Sequence, residues 1–389
     1  MTRTVPCFLL EQEYSQIKFK ELSIFCKKDM KKKIFLAIIA VLAMYSCSDH
    51  GTPEDEVKYD PSELSEVEAV ALSLEGVEYD SVFSRPDQMD FIGDSLLVVH
   101  DKVGNENIAH LISVGGKYVH GFGKIGKGHG EMLAPHLFSV GEDGKSIYYF
   151  DWSTKSTIKF SLDSILAGSN ACNVLKTGRI DGASEYGLND VWHIADEAFY
   201  GFGYDDVCRL MAVEDGKVQD IYTTYPPVDE NEENKWSIWN NMAKIGVSPD
   251  HKHIVIGTAI GSMFEVFSVD NGKISRDVFK AFYKPIYRLA QGAVPACVVA
   301  TEETVWGFTS LYCTNESFWG VMGGEGFSHR DVIYEFSYSG ELLSKYKVDG
   351  QVEVLAVNPQ GEMYLVMTGE DKDLHLMRAD LNNVKRRKP

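Results

Sequence analysis

Six short runs of consecutive apolar, β-favouring residues recur along the chain: Leu96–Val99 (LLVV), Ile147–Phe150 (IYYF), Phe199–Phe202 (FYGF), Ile254–Gly257 (IVIG), Phe318–Val321 (FWGV) and Met363–Val366 (MYLV). Their starts lie 45 to 64 residues apart. A turn precedes each run: Gly93-Asp94, Glu142-Asp143-Gly144, Asp196-Glu197, Asp250-His251, Asn315-Glu316 and Gln360-Gly361. A second β-rich segment follows at a similar offset, most often with apolar and polar residues alternating, as in Met263–Val269 (MFEVFSV). Hairpin turns come next at Gly115-Gly116, Asp215-Gly216, Asn271-Gly272 and Ser339-Gly340. Asn-Gly and Asp-Gly supply the positive φ that a two-residue hairpin turn requires. A third strand follows, as in Lys217–Thr223 and Lys273–Phe279.

With one strand before each apolar run, the unit is four strands in about 50 residues, repeated six times. That pattern predicts an all-β, six-bladed β-propeller over residues 68–384. The sixth unit lacks an outer strand, and Glu68–Gly76 (EAVALSLEG) stands unpaired at the other end. Pairing the two closes the ring and removes the free edges. A pair of β-sandwich domains is the competing architecture, but sandwiches do not repeat one hairpin six times.

Within this recurrence, Phe122-Gly123-(x3)-Lys127-Gly128-(x)-Gly130-Glu131-(x3)-Pro135 resembles the TolB-like and NHL-like six-bladed propeller lipoproteins of Gram-negative bacteria. The resemblance covers residues 68–380. It implies a propeller fold and a cell-envelope location, and it names no activity.

The front of the chain reads differently. Lys31, Lys32 and Lys33 precede the 11-residue apolar run Ile34–Met44, which is too short to span a hydrocarbon core of about 30 Å. Ser46 and Cys47 follow, so residues 30–46 resemble a bacterial lipoprotein signal with Cys47 as the lipidated residue. Met44 and Tyr45 depart from the usual pattern of that signal. Residues 1–29 read as an over-called extension ahead of the true start at Met30. Residues 47–67 form an acidic tether resembling the surface-export signal of some gut lipoproteins, and residues 385–389 form a basic tail. Acyl chains on Cys47 imply membrane anchoring, with the protein at the outer membrane on its periplasmic or surface face.

Composition bears on partners. The chain has 38 Lys and Arg against 57 Asp and Glu, a net charge of −19. Cleavage before Cys47 takes away eight basic and four acidic residues, leaving 30 against 53 and a net of −23. That balance excludes nucleic acid as a partner, since phosphate binding needs a basic face.

Motifs for catalysis are sparse. Gly121-Phe122-Gly123-Lys124-Ile125-Gly126-Lys127-Gly128 spells both GxGxxG and GxxxxGK. Either motif needs a helix opening there, and Gly128, Gly130 and Pro135 prevent one. No CxxC pair exists, so no metal or other cofactor is expected. An oxidising compartment would permit a Cys297–Cys313 disulfide. No catalytic constellation stands out.

Ligand-binding residues are expected on the loops after the second strand of each blade and between blades, which share one face of a propeller. These loops carry His100, Asp101, Asp151, Trp152, Tyr204, Asp205, Asp206 and His329, with His129 and Trp236 on inter-blade segments. Two functions fit this set. One is a lipid-anchored binding or scaffold module for a glycan, a peptide or another envelope protein. The other is a hydrolase or lyase drawing on carboxylates and His at the channel mouth. Convergence of His100, Asp101, Asp151, Asp205 and Asp206 would favour the second.

Overall fold

The computed structural model describes residues 57–79, 83–102, 106–169, 171–175, 188–203, 207–226, 243–290, 298–326 and 330–384. Cys47, Tyr204, Asp205, Asp206, Trp236, Cys297 and His329 lie outside these residues.

Six antiparallel sheets form the blades of a β-propeller, each beginning with its innermost strand. Those inner strands are Pro86–Ile92, Pro135–Val140, Asp190–Ala195, Ala243–Val247, Val305–Cys313 and Gln351–Val357. Each apolar run of the sequence is the second strand of its blade, bonded on both sides. Its lack of alternation has a structural cause. Successive side chains leave a strand on opposite faces, and here both faces pack on a neighbouring blade. In blade 1, Leu97 and Val99 pack towards blade 6 while Val98 packs towards blade 2. In blade 6, Met363 and Leu365 face blade 5 while Tyr364 and Val366 face blade 1. Among the described residues the core comprises six buried apolar clusters, one at each interface between adjacent blades.

Packing at the interface of blades 4 and 5 is aromatic. The Phe264 ring lies 5.0 Å from that of Phe318 and 5.1 Å from that of Phe336. Phe308 is wedged between Gly257 and Gly320; a Cβ on Gly320 would lie 2.4 Å from its ring. Glycine at these two places lets the ring sit against the backbone of both blades.

The ring closes with a correction to the expected strand. Glu68–Gly76 is not one strand but two short ones on two blades. Val70–Ala71 runs parallel to Leu342–Lys347 of blade 5, and Glu75–Val77 pairs antiparallel with Leu374–Asp380 as the outer strand of blade 6. Arg378 and Glu75 reinforce the second pairing at 2.7 Å. The long spacing between the fourth and fifth apolar runs comes from the segment after Lys273–Ala281, which carries its own two-stranded pair, Arg288–Leu289 with Val298–Val299.

Residues 121–132 form no helix. Lys124–Ile125 pairs parallel with Glu131–Met132, and the Gly128 amide donates to Glu131 Oε2 at 2.7 Å. The segment is a crossover from blade 1 to blade 2. Cys172 is half-buried and Cys313 is buried, and neither is in a disulfide with another described residue.

Blade 3 carries a pH-sensitive packing element. His193, buried on the inner strand, stacks on Tyr148 with centroids 4.9 Å apart and contacts Thr157 Oγ1 at 2.9 Å. Burial pushes its imidazole down to about 4, outweighing the bond to the Ala195 carbonyl that favours the charged form. The unfolded chain protonates this ring first, near pH 6.5, so His193 costs stability as the pH falls from 6.5 to 4. The loss should reach about 3 kcal/mol below pH 4. In urea denaturation at pH 7.5 and pH 4.5, His193→Gln should lose less stability on acidification than the parent. An equal loss in both would contradict this assignment.

Candidate functional site

The inner strands line a central channel whose two ends differ in chemistry. Where those strands begin, charged groups face one another. His100 Nδ1 lies 2.8 Å from Asp87 Oδ1, Lys102 Nζ lies 3.2 Å from Asp87 Oδ2, and His136 Nδ1 lies 2.6 Å from Asp190 Oδ1. Burial by itself would raise the Asp87 carboxyl, but His100, Lys244 and Lys102 hold it well below the usual carboxylate range. The Lys244 ammonium is pushed down by burial, against the pull of Asp87. Burial likewise disfavours charge on His136, and Asp190 reverses that and raises it. The acids and bases at this end answer one another across blades 1 to 4.

Where the inner strands end, five of the six turns that precede the apolar runs ring a cavity of about 640 Å³. Its walls are Phe91, Trp192, Tyr312 and Trp319, with Asp90 on the inner strand of blade 1. Asp90 Oδ1 accepts hydrogen bonds from the Phe91 amide at 2.7 Å and the Tyr312 hydroxyl at 3.1 Å, linking blade 1 to blade 5. Burial raises the Asp90 carboxyl to about 6 despite those two donors. Among the described residues lining the cavity there are five carboxylates and one His, and no Lys or Arg.

The residues singled out from sequence lie at the opposite end or outside the described part. Asp101 and Asp151 are wholly buried and engaged with the main chain. Asp101 accepts from the amides of Ser84 and Arg85 at 2.6 and 2.7 Å. Asp151 accepts from Leu133, Ala134 and Ser153 at 2.8, 3.2 and 2.9 Å. Each carboxylate ties the end of its blade's second strand to the loop entering the inner strand. His100 is buried, joins Asp87 and meets the Tyr149 ring edge-on at 5.5 Å. His129 is exposed on the crossover. Trp152 is half-exposed, donates to Asn189 Oδ1 at 2.8 Å and carries Lys155 Nζ 4.6 Å above its ring.

Sequence reasoning missed the cavity residues because it read the turns before each apolar run only as punctuation. Their recurrent Asp, Glu and Asn were the available signal. Among the described residues, no three His, Cys, Asp or Glu side chains gather in a way that could hold a metal ion. No helix among them is long and apolar enough to cross a membrane.

The chain is thus a six-bladed, all-β propeller with a cavity at one end of its channel. No family model matches it, and no curated protein matches its sequence. Solved structures are similar to it in fold. A member of the DUF4221 family from Bacteroides vulgatus has a TM-score of 0.51 and 10% identity, covering 81% of this chain and 97% of that one. A Bacteroides fragilis protein described as exported has a TM-score of 0.49 and 9% identity, covering 83% and 97%. Regucalcin, a calcium-binding protein from Agrobacterium tumefaciens, has a TM-score of 0.47 and 10% identity, covering 80% and 95%.

Proposed function

We propose that this protein is a lipid-anchored cell-envelope propeller that acts by binding, as a receptor or scaffold for a glycan, a peptide or another envelope protein. The observation that carries the binding role is the cavity at the turn end, which combines aromatic walls with five carboxylates and, among the described residues that line it, no Lys or Arg. Ligand sites are concave, mostly apolar and furnished with a few placed polar groups. Asp101 and Asp151, on which a hydrolase or lyase would draw, hold backbone amides instead. Lipid anchoring rests on Lys31–Lys33, the apolar run after them, and Cys47.

Two measurements test these parts separately. Cys47→Ala should move the protein from the membrane pellet to the soluble envelope fraction; continued sedimentation with membranes would contradict anchoring. In a glycan and peptide screen, reversing charge at the cavity rim with Asp94→Lys and Glu316→Lys should abolish capture seen with the parent. Capture that survives both reversals would place the site elsewhere.

A further inference from the structure

We propose that the turn-end cavity binds an organic ammonium ion on an aromatic or apolar body, with Asp90 as its counter-charge. This deepens the reading of the cavity as the ligand site and rests on it. Asp90, Asp94, Glu142, Glu316 and Glu335 all border the space, with no Lys or Arg among its described lining. Its one base, His251, is pushed down by burial, against the pull of Glu142 and Asp250, so it adds little positive charge near neutral pH. Among the described residues two hydrogen-bond donors meet Asp90, the Phe91 amide and the Tyr312 hydroxyl from blade 5, and the Cys313 thiol lies near enough to feel its charge. A carboxylate so placed is left to find its cation in the ligand. Aromatic faces at Trp192, Tyr312 and Phe91 suit the same charge, since ring quadrupoles attract cations.

An independent feature points to a ligand. Trp319 borders the cavity, is 1% exposed, and among the described residues its Nε1 meets no hydrogen-bond acceptor. Buried indole donors are normally satisfied. An acceptor oxygen on the ligand would answer it, so an amine that also carries a hydroxyl or carbonyl fits best.

Tyramine and tyrosol make the test, because they differ only in an ammonium against a hydroxyl. By calorimetry on the full chain at pH 7.5, tyramine should bind at least about tenfold more tightly than tyrosol. Asp90→Asn should remove that preference by weakening tyramine binding far more than tyrosol binding. A measurement that needs no variant is the pH dependence. Tyramine keeps its charge between pH 5 and 8, while Asp90 takes up a proton through about pH 6. Tyramine affinity should therefore fall as the pH drops from 7.5 to 5. Equal binding of the two compounds, or tyramine affinity flat across this range, would overturn the ammonium assignment while leaving the cavity a ligand site. Binding of neither compound would overturn the assignment and count against the cavity as well.

Discussion

Arg209→Ala should lower the free energy of unfolding by about 3–5 kcal/mol, the cost of leaving one member of a buried ion pair alone. Arg209 and Glu265 are 3% and 0% exposed, and they join blade 3 to blade 4. The guanidinium grips both carboxylate oxygens, donates to the Thr224 carbonyl at 2.7 Å and lies 4.5 Å from the Tyr225 ring centroid. Arg276 adds a contact at 3.2 Å to Glu265 Oε1, which is too peripheral to replace the first partner. Removing both charges is a different matter. A buried pair exchanged for apolar groups of similar volume is often close to neutral. Arg209→Met with Glu265→Leu should therefore recover much of the loss. Urea denaturation of the three proteins decides it; a single-mutant loss under about 1 kcal/mol would mean that water or Arg276 supports the stranded carboxylate.

Asp151→Ala should cost about 3 kcal/mol or more, because it strands amides at Leu133, Ala134 and Ser153 near a side chain that water does not reach. Asp151→Asn, with one carbonyl oxygen for two carboxylate oxygens, should fall between the parent and the alanine variant. Neither change should alter tyramine affinity, since Asp151 lies at the far end of the channel from Asp90. A stable Asp151→Ala protein with altered ligand binding would instead restore the role that sequence reasoning assigned to this residue.

Blade number was legible in the sequence because strands packed on both faces must be apolar throughout, and six such runs stand out. Closure was legible only as the need for a missing strand. Three residues, Glu75–Val77, supply it, and their pairing partner lies about 300 residues away, so no local pattern marks the register. The channel was not legible. Asp87, His136, Asp190 and Lys244 each open an inner strand, where a charged residue looks like ordinary loop solvation. Only ring closure brings them within reach of one another. Asp101 and Asp151 misled for the opposite reason: a carboxylate at a strand end has the same sequence signature whether it faces a ligand or caps a loop. The turn residues around Asp94, Glu142 and Glu316 were visible as turns, but their meeting at one end follows from the common direction of the inner strands.

Hydrogen–deuterium exchange with and without tyramine tests most directly whether the ligand end of this propeller is the turn end. Protection should rise at residues 88–94, 245–251, 311–317 and 357–361, the segments that ring the cavity. Protection confined to the crossover around His129 and the loop carrying Trp152, with those four segments unchanged, would contradict it and put the binding face at the opposite end of the channel.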